Sequence, residues 1–285
     1  MIRVRRDQPA LFASDMHLSD AHPDTVRQVI DALAESAQGV DFVFLLGDLF
    51  DAWVGDDLIG DAGCERSVRD FLALLRQWHA QGKAVYALHG NRDFLLGIRP
   101  AAAQADAGGQ TGNDLQRACG VRLLPDPCVI ELHGEPVTLS HGDALCTDDT
   151  DYQAFRRLAR TPAWQADFLA QPLAARLSAA RAMREQSRQH TREKDERLMD
   201  VNPQAVRALL HDTGTRVLVH GHTHRPAHQV LDLDEGAAQR WVLPDWDATE
   251  HRGGMLMARD GVMLPLGEWP EPRPVGAALG GGTGG

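Results

Sequence analysis

Seven side chains in this sequence could gather around cations: Asp15, His17, Asp48, Asn91, His141, His222 and His224. They occur as Asp15-x-His17, Gly47-Asp48, Gly90-Asn91, Ser140-His141 and His222-x-His224. Taken singly, each signal is weak. An Asp-x-His after a strand is most often a surface turn, and a Gly-Asp pair usually only turns the chain. His222-x-His224 alone is equally a pair of exposed histidines or an accidental metal site. The combination says more. One metal takes about four to six donors, so seven oxygen and imidazole donors suit two metals that share a bridging carboxylate. Two divalent ions about 3.5–4 Å apart can clamp both the attacking and the leaving oxygen of an in-line phosphoryl displacement. Carboxylates, an amide oxygen and imidazoles without thiolate favour Mn²⁺, Fe²⁺ or Co²⁺ over a structural Zn²⁺ centre.

Each of these groups closes a short apolar run. Ala10–Ala13 leads into Asp15 and His17, Phe42–Leu46 into Asp48, and Ala84–Leu88 into Asn91. Val137–Leu139 leads into His141, and Val217–Val219 into His222 and His224. Short β-prone runs bounded by glycine and polar residues read as buried strands. Apolar residues at three- and four-residue spacing predict helices over Thr25–Ala37 and Glu65–Gln81. Alternating strands and helices imply an α/β sheet, whose strand ends would bring all seven donors into a single crevice. The stretch from about 152 to 202 breaks this rhythm. It is rich in Ala, Arg, Leu and Gln, is punctuated by Pro162 and Pro172, and predicts two or three helices inserted as a lid. The organisation expected is a core of residues 1–150 and 203–267, a lid over 151–202, and a disordered Pro/Gly-rich tail over 268–285.

Composition narrows the class. The 285 residues are 43% hydrophobic and 24% charged, as in a soluble globular enzyme. A formal net charge of −11 argues against a general nucleic-acid binder. The charge is uneven, because Arg156 to Arg197 holds ten basic residues against five acidic ones. Cys64, Cys119, Cys128 and Cys146 form no CxxC pair and read as reduced thiols of a cytosolic protein. The apolar run after the basic start is only Ala10–Ala13, too short for a signal peptide. No apolar run reaches the roughly 18 residues of a spanning helix, which leaves peripheral contact as the membrane option.

Asp15-x-His17, Gly47-Asp48, Gly90-Asn91, His141 and Gly221-His222-x-His224 together resemble the motif set of the calcineurin-like metallophosphoesterases. Longer blocks are similar to the branch that cleaves UDP-2,3-diacylglucosamine in lipid A synthesis. These are Gly47–Asp57, His89–Gly97, His141–Asp149, Met199–Asn202 and His220–Pro226. The resemblance implies a four-layer αββα sandwich with an inserted helical lid. It implies hydrolysis of the substrate's pyrophosphate bond to UMP and 2,3-diacylglucosamine 1-phosphate, by water that two divalent ions activate for attack on the α-phosphorus. By position, Asp15, His17, Asp48 and His224 would hold one ion. Asp48, Asn91, His141 and His222 would hold the other, with Asp48 bridging. Asn91, Arg92, Asp149, Ser187, Thr191, Lys194 and His222 would contact substrate, and Asn91, Arg92 and His222 would carry the catalytic roles. Thr191 stands where some relatives carry Asn. The implied partners are the UDP-diacylglucosamine lipid and the cytoplasmic face of the inner membrane, met peripherally by a monomer, with no nucleic acid.

The residue after Asn91 bears on the reaction. Members of the superfamily typically show Gly-Asn-His there, the histidine protonating an alkoxide leaving group; here the residue is Arg92. With a pKa above about 12, arginine cannot act as a general acid, but its planar fork can spread phosphoryl charge. A departing phosphate needs no proton, so the exchange suits a pyrophosphate bond. The alternative is that Arg92 merely pairs with a structural aspartate. In the lid, Ser187, Thr191 and Lys194 fall on one helical face, and Lys194 is one of only two lysines. Phe168, Leu169, Leu173 and Leu177 offer apolar cover for acyl chains or a membrane surface, the alternative being a solvated helix pair packed on the core. Asp51, Asp56, Asp57 and Asp61 lack EF-hand spacing and read as a polar loop near the metals. His89 and His220 read as supporting or core histidines, and Asp93 could orient Arg92 or a ligand histidine. The stretch Leu243–Glu250 receives no role. Two other functions stay open: a related di-metal phosphodiesterase or nucleotide pyrophosphatase with a soluble substrate, and a non-catalytic binding scaffold.

Overall fold

The computed structural model describes residues 1–100, 114–193, 200–233, 236–269 and 277–278, with the backbone alone at 114, 186–193, 268 and 277–278. Strands β2 (Ala10–Ala13), β3 (Phe42–Leu45) and β4 (Ala84–Ala87) follow a period of two. Ala10, Phe12, Phe44 and Tyr86 enter one apolar cluster, whereas Leu11, Ala13, Val43, Leu45, Val85 and Ala87 enter another. Burial on both faces is why the runs are continuously apolar. The three strands pair in parallel, with Phe12 beside Phe44 and Phe44 beside Tyr86.

β5 (Arg122–Leu123) extends this sheet past β4. On its other side stand β11 (Gly253–Arg259), β12 (Val262–Glu268) and β13 (Ala277–Ala278), giving the order β13-β12-β11-β2-β3-β4-β5. A second sheet holds β1 (Arg3–Val4), β6 (Cys128–Leu132), β7 (Glu135–Leu139), β8 (Val217–His220), β9 (Ala227–Leu233) and β10 (Gly236–Val242), in the order β1-β6-β7-β8-β10-β9. The strand pattern alone points to one sheet with one crevice. The five motif-bearing strands are instead divided, β2, β3 and β4 in one sheet and β7 and β8 in the other.

The two sheets share a core in which Phe12, Phe44 and Tyr86 meet Ile130, Val137, Val219 and Trp241. Stacked rings join Phe12 to Phe44 at 5.1 Å and Phe44 to Tyr86 at 5.4 Å. Helices α1 (Pro23–Ser36), α2 (Arg66–Ala80) and α3 (Asp114–Cys119) cover the outer face of the larger sheet, where Val29, Leu33, Phe71 and Leu75 join Leu11 and Val43. On the smaller sheet's outer face, α7 (Pro203–Thr213) packs Val206 and Leu210 on Leu218 and Ala238. The result is the αββα layering that the resemblance implies.

Between β7 and α7, among the described residues, the chain forms three helices: α4 (Thr150–Ala159), α5 (Pro162–Leu169) and α6 (Leu173–Glu193). Asp149 and Thr161 cap the first two with side-chain oxygens. The apolar cover expected of this insert needs correction. Phe168 and Leu169 are buried in the core under the larger sheet, and Leu173 and Leu177 pack against it, so they are not free cover. Among the described residues of the insert, the exposed large apolar groups are Phe155, Leu158 and Met183. Four arginines of the insert are also held by protein partners. Arg176 is 2% exposed and bound to Asp57 and the Val54 carbonyl, while Arg156 and Arg160 reach Asp143 and Arg184 reaches Asp51. A desolvated guanidinium needs such a partner.

Part of the expected structureless tail also contributes structure. Trp269 lies in the core between the sheets, and Ala277–Ala278 pair with β12; residues 270–276 and 279–285 lie outside the described residues. Among the described residues, no helix is long and apolar enough to cross a membrane.

Candidate metal centre

The carboxyl ends of the five motif strands meet at one edge of the sandwich, where the chain turns sharply after each strand. Asp15, His17, Asp48, His222 and His224 all adopt left-handed backbone, with φ of 51°, 45°, 52°, 68° and 53°. They are five of the eight non-glycine residues with positive φ among the described residues. Asp and His visit this region more readily than most residues. Even so, such strain costs of order 1–3 kcal/mol each and tends to concentrate at functional sites.

The motif glycines have a steric reason. A Cβ on Gly90 would stand 2.1 Å from Asp48 Oδ1, and one on Gly221 would stand 2.1 Å from Asp15 Oδ2. One on Gly47 would stand 2.6 Å from the Gly90 nitrogen. The loops interlock too closely for any side chain at these positions.

All seven expected donors come together. His17 Nε2 lies 3.2 Å from His224 Nε2, which lies 3.5 Å from Asp15 Oδ1. Asp48 reaches both groups: its Oδ2 is 3.7 Å from His17 Nδ1 and its Oδ1 is 3.7 Å from His141 Nε2. Asn91 Oδ1 sits 3.0 Å from His141 Nε2 and 2.8 Å from His222 Nδ1. Ligand atoms of Asp15, His17 and His224 lie within 4.8 Å of one another, as do those of Asp15, Asp48 and His141. Asp15 Oδ1 and His17 Nδ1 are buried without a hydrogen-bond partner among the described residues. Buried lone pairs left in this state are uncommon. Together with a thiolate-free donor set, they fit divalent cations.

Electrostatics agree with that fit. Burial, with Arg92 and His224 adding to it, holds His17 well below the ordinary histidine range. Burial and the charge on His141 push His222 down to about 3. Both rings are therefore neutral, as ligands must be. Burial opposes charge on His141, yet the Asp48, Asp15 and Asp143 carboxylates raise it to about 9. Burial likewise opposes charge on Asp15, but His224, His141 and His17 keep its carboxyl low.

The surrounding groups hold these donors in place. His141 Nδ1 donates to the Leu46 carbonyl at 2.9 Å, which leaves Nε2 for the cluster. Asp93 accepts from the backbone N–H groups of Asp48, Leu49 and Gly90, so it braces the two loops rather than Arg92 or a histidine. His220 is fully buried; its Nδ1 donates to the Gly221 carbonyl and its Nε2 accepts from Arg240. His89 donates to the Leu96 carbonyl.

Arg92 does pair with an aspartate: its Nη1 is 2.9 Å from Asp51, while its Nε stays 3.7 Å from Asp48. Asp56 accepts from the Trp53 indole and the Gly97 N–H, Asp57 pairs with Arg176, and Asp61 accepts from the Gly63 N–H. This acidic loop is therefore occupied by protein partners. Asp149 accepts from the Tyr152 N–H at 3.1 Å. Ser187 and Thr191 lie on the backbone of α6 with their side chains outside the described residues, and Lys194 lies wholly outside them.

Two residues without an assigned role prove relevant. Asp245 Oδ2 is 3.4 Å from His224 Nδ1. Buried Asp143 accepts from the Tyr152 hydroxyl, Arg156 and Arg160 at 2.6, 2.7 and 3.0 Å, and the Tyr152 ring stacks near His222 with centroids 6.1 Å apart. Asp143 falls inside a motif block, but nothing in the sequence near Asp245 marks it as a partner of His224.

Comparison with known proteins identifies the family. Residues 9–226 match the family described as calcineurin-like phosphoesterase. The chain is 43% identical over 236 residues to the UDP-2,3-diacylglucosamine hydrolase of Chromohalobacter salexigens, covering 83% of this chain and 88% of that one. To the UDP-2,3-diacylglucosamine hydrolase of Aromatoleum aromaticum it is 45% identical over 258 residues, covering 90% and 95%. To that of Bordetella parapertussis it is 42% identical over 269 residues, covering 92% and 96%. The chain belongs to the calcineurin-like phosphoesterase family, in its UDP-2,3-diacylglucosamine hydrolase branch.

Proposed function

We propose that this chain hydrolyses the pyrophosphate bond of UDP-2,3-diacylglucosamine, releasing UMP and 2,3-diacylglucosamine 1-phosphate. The observation that carries the reading is a full set of seven donors bordered by a guanidinium, Arg92, at the position after Asn91. Two divalent ions, Mn²⁺ by preference, would be held by Asp15, His17, Asp48 and His224 and by Asp48, Asn91, His141 and His222, supplying the Lewis-acid charge that activates water and offsets phosphoryl charge.

The chain's own groups do the positioning. His17 and His222 stay neutral through burial, and His141 would hold an ion only as the neutral ring. Asn91 is fixed between His141 and His222. Arg92, tethered by Asp51, offers its fork to a phosphoryl oxygen and has no proton to give. None is needed, because the departing group is itself a phosphate. Held on strand-end loops, these groups require little reorganisation as charge develops. Asp149, Ser187, Thr191 and Lys194 would receive the sugar and acyl carbonyls. Exposed Phe155, Leu158 and Met183 would meet acyl chains or the cytoplasmic face of the inner membrane, which the chain would approach as a peripheral monomer.

The test is UMP release from the lipid substrate in detergent by the Mn²⁺-reconstituted protein. The expected result is turnover in the wild type and at least a hundredfold loss in His222→Ala. No release, or full activity in that variant, overturns the assignment. Equal turnover of the deacylated UDP-sugar would move it to a soluble nucleotide pyrophosphatase.

A further inference from the structure

A cavity of about 550 Å³ borders the cluster at His224. That is within the usual range of small-molecule sites, about 300–1,000 Å³. Among the described residues, no side chain of the three inserted helices lines it. Those helices meet the cluster at its other group: Tyr152 stacks near His222, Arg160 donates to the Gly90 carbonyl, and Arg184 pairs with Asp51 beside Arg92. The cavity and the insert thus flank the seven donors from two different directions.

The wall of the cavity carries three guanidiniums, two carboxylates and a histidine: Arg225, Arg240, Arg252, Asp200, Asp245 and His251. Arg240 is buried and committed, with Nε on His220, Nη1 on Gln229 at 2.9 Å and Nη2 3.4 Å from Asp200. Arg225 and Arg252 are paired too, but nearer to solvent. Their side chains are 41% and 48% exposed; Arg225 reaches Asp200 at 3.6 Å, and Arg252 reaches Asp245 at 3.3 Å and Asp247 at 3.5 Å. Half-exposed pairs of this length contribute little and can reorganise around a new anion. A guanidinium fork is suited to phosphate oxygens. Trp269, Val242, Pro226 and Pro244 add apolar wall, a chemistry suited to a nucleobase and ribose.

We propose that this cavity seats the nucleoside monophosphate half of the substrate, with the base against Trp269 and Pro244 and the α-phosphate between Arg225 and Arg252 beside His224. This rests on reading the chain as a hydrolase of a nucleotide-linked lipid. The pyrophosphate then crosses the cluster from the His224 side to the His222 side. The lipid phosphate leaves toward Arg92 and the inserted helices, and UMP stays in the cavity.

The two products separate the two sides. Titration calorimetry on Mn²⁺-loaded protein measures UMP and, in micelles, 2,3-diacylglucosamine 1-phosphate. Arg225→Ala and Arg252→Ala should each weaken UMP at least tenfold and the lipid product less than twofold. Arg225→Lys should recover part of the UMP affinity. Both residues are half-exposed, and circular dichroism checks that the variants fold. Unchanged UMP binding in both variants, or equal losses for both products, overturns the subsite alone if the wild type still releases UMP from the lipid substrate. A wild type that neither cleaves that substrate nor binds UMP overturns the subsite and the hydrolase reading together.

Discussion

His224 presents Nε2 to Asp15 and His17 and Nδ1 to Asp245. A carboxylate at Nδ1 fixes the ring's direction and keeps the proton there, leaving the Nε2 lone pair for a cation. Burial opposes charge on His224, while the Asp15 and Asp245 carboxylates raise its pKa. Asp245→Asn preserves the shape and removes the charge. The expected outcome, by equilibrium dialysis, is a Mn²⁺ affinity lower by about 10–100-fold, with an unchanged circular dichroism spectrum. Full affinity would mean that Asp245 serves only its contact with Arg252. The seven donors were legible in sequence because few residue types bind hard cations and all seven follow apolar runs. Asp245 was not, because only folding brings it to His224. The motif glycines were legible as turns alone. Their actual constraint, such as the 2.1 Å approach of a Gly90 Cβ to Asp48, appears only once two loops are interlocked.

Asp143 ties α4 to the loop after β7, and so couples the inserted helices to the cluster. Burial opposes its charge, yet His141, Arg160 and Arg156 hold its carboxyl below the usual range. Asp143→Asn would leave two half-buried guanidiniums short of an anion. Breaking a buried pair costs about 3–5 kcal/mol, and because Arg156 and Arg160 keep some contact with water, a loss near about 3 kcal/mol is expected in urea denaturation at pH 7. A depressed carboxylate stabilises above its unfolded pKa of 3.8 and loses that contribution as pH falls through the folded value. The gap between wild type and variant should therefore narrow below pH 3.8. A gap that persists there would point to packing rather than charge. At this scale, the helices α1 and α2 and the motif strands were readable from periodicity. The division into two sheets was not: Leu139 pairs with Val219 across the whole insert, and β11 returns to pair with β2. The apolar side chains of α5 were visible in sequence, but not what they cover. Phe168 and Leu169 turned out to face the core.

Across the whole molecule, the formal charge of −11 conceals internal neutralisation. Four arginines of the basic segment are spent on Asp143, Asp57 and Asp51, which leaves Arg157 and Arg181 among its exposed cations. The donors come from both sheets, Asp15, His17, Asp48 and Asn91 from the loops of one and His141, His222 and His224 from the loops of the other. Cations held there would join the two halves of the sandwich and offset the like charge of Asp15 and Asp48. Ligand at about 1,000 times its dissociation constant stabilises by about 4 kcal/mol. At about 2–4 °C per kcal/mol for a large domain, chelation should lower the melting temperature by about 10 °C. The shift should also depend on pH in a definite direction. In the metal-free protein His141 carries a proton up to about pH 9, so its stabilising contribution is full below the ordinary 6.5 and fades as pH rises through 9. Binding a metal must expel that proton, so apparent Mn²⁺ affinity rises by up to about tenfold per pH unit in this window. Both effects widen the difference between Mn²⁺-loaded and chelated protein from pH 7 to pH 9. Differential scanning fluorimetry across that range measures it directly, and a melting difference that is absent, or that shrinks with rising pH, would show that the cluster does not join the sheets in this way.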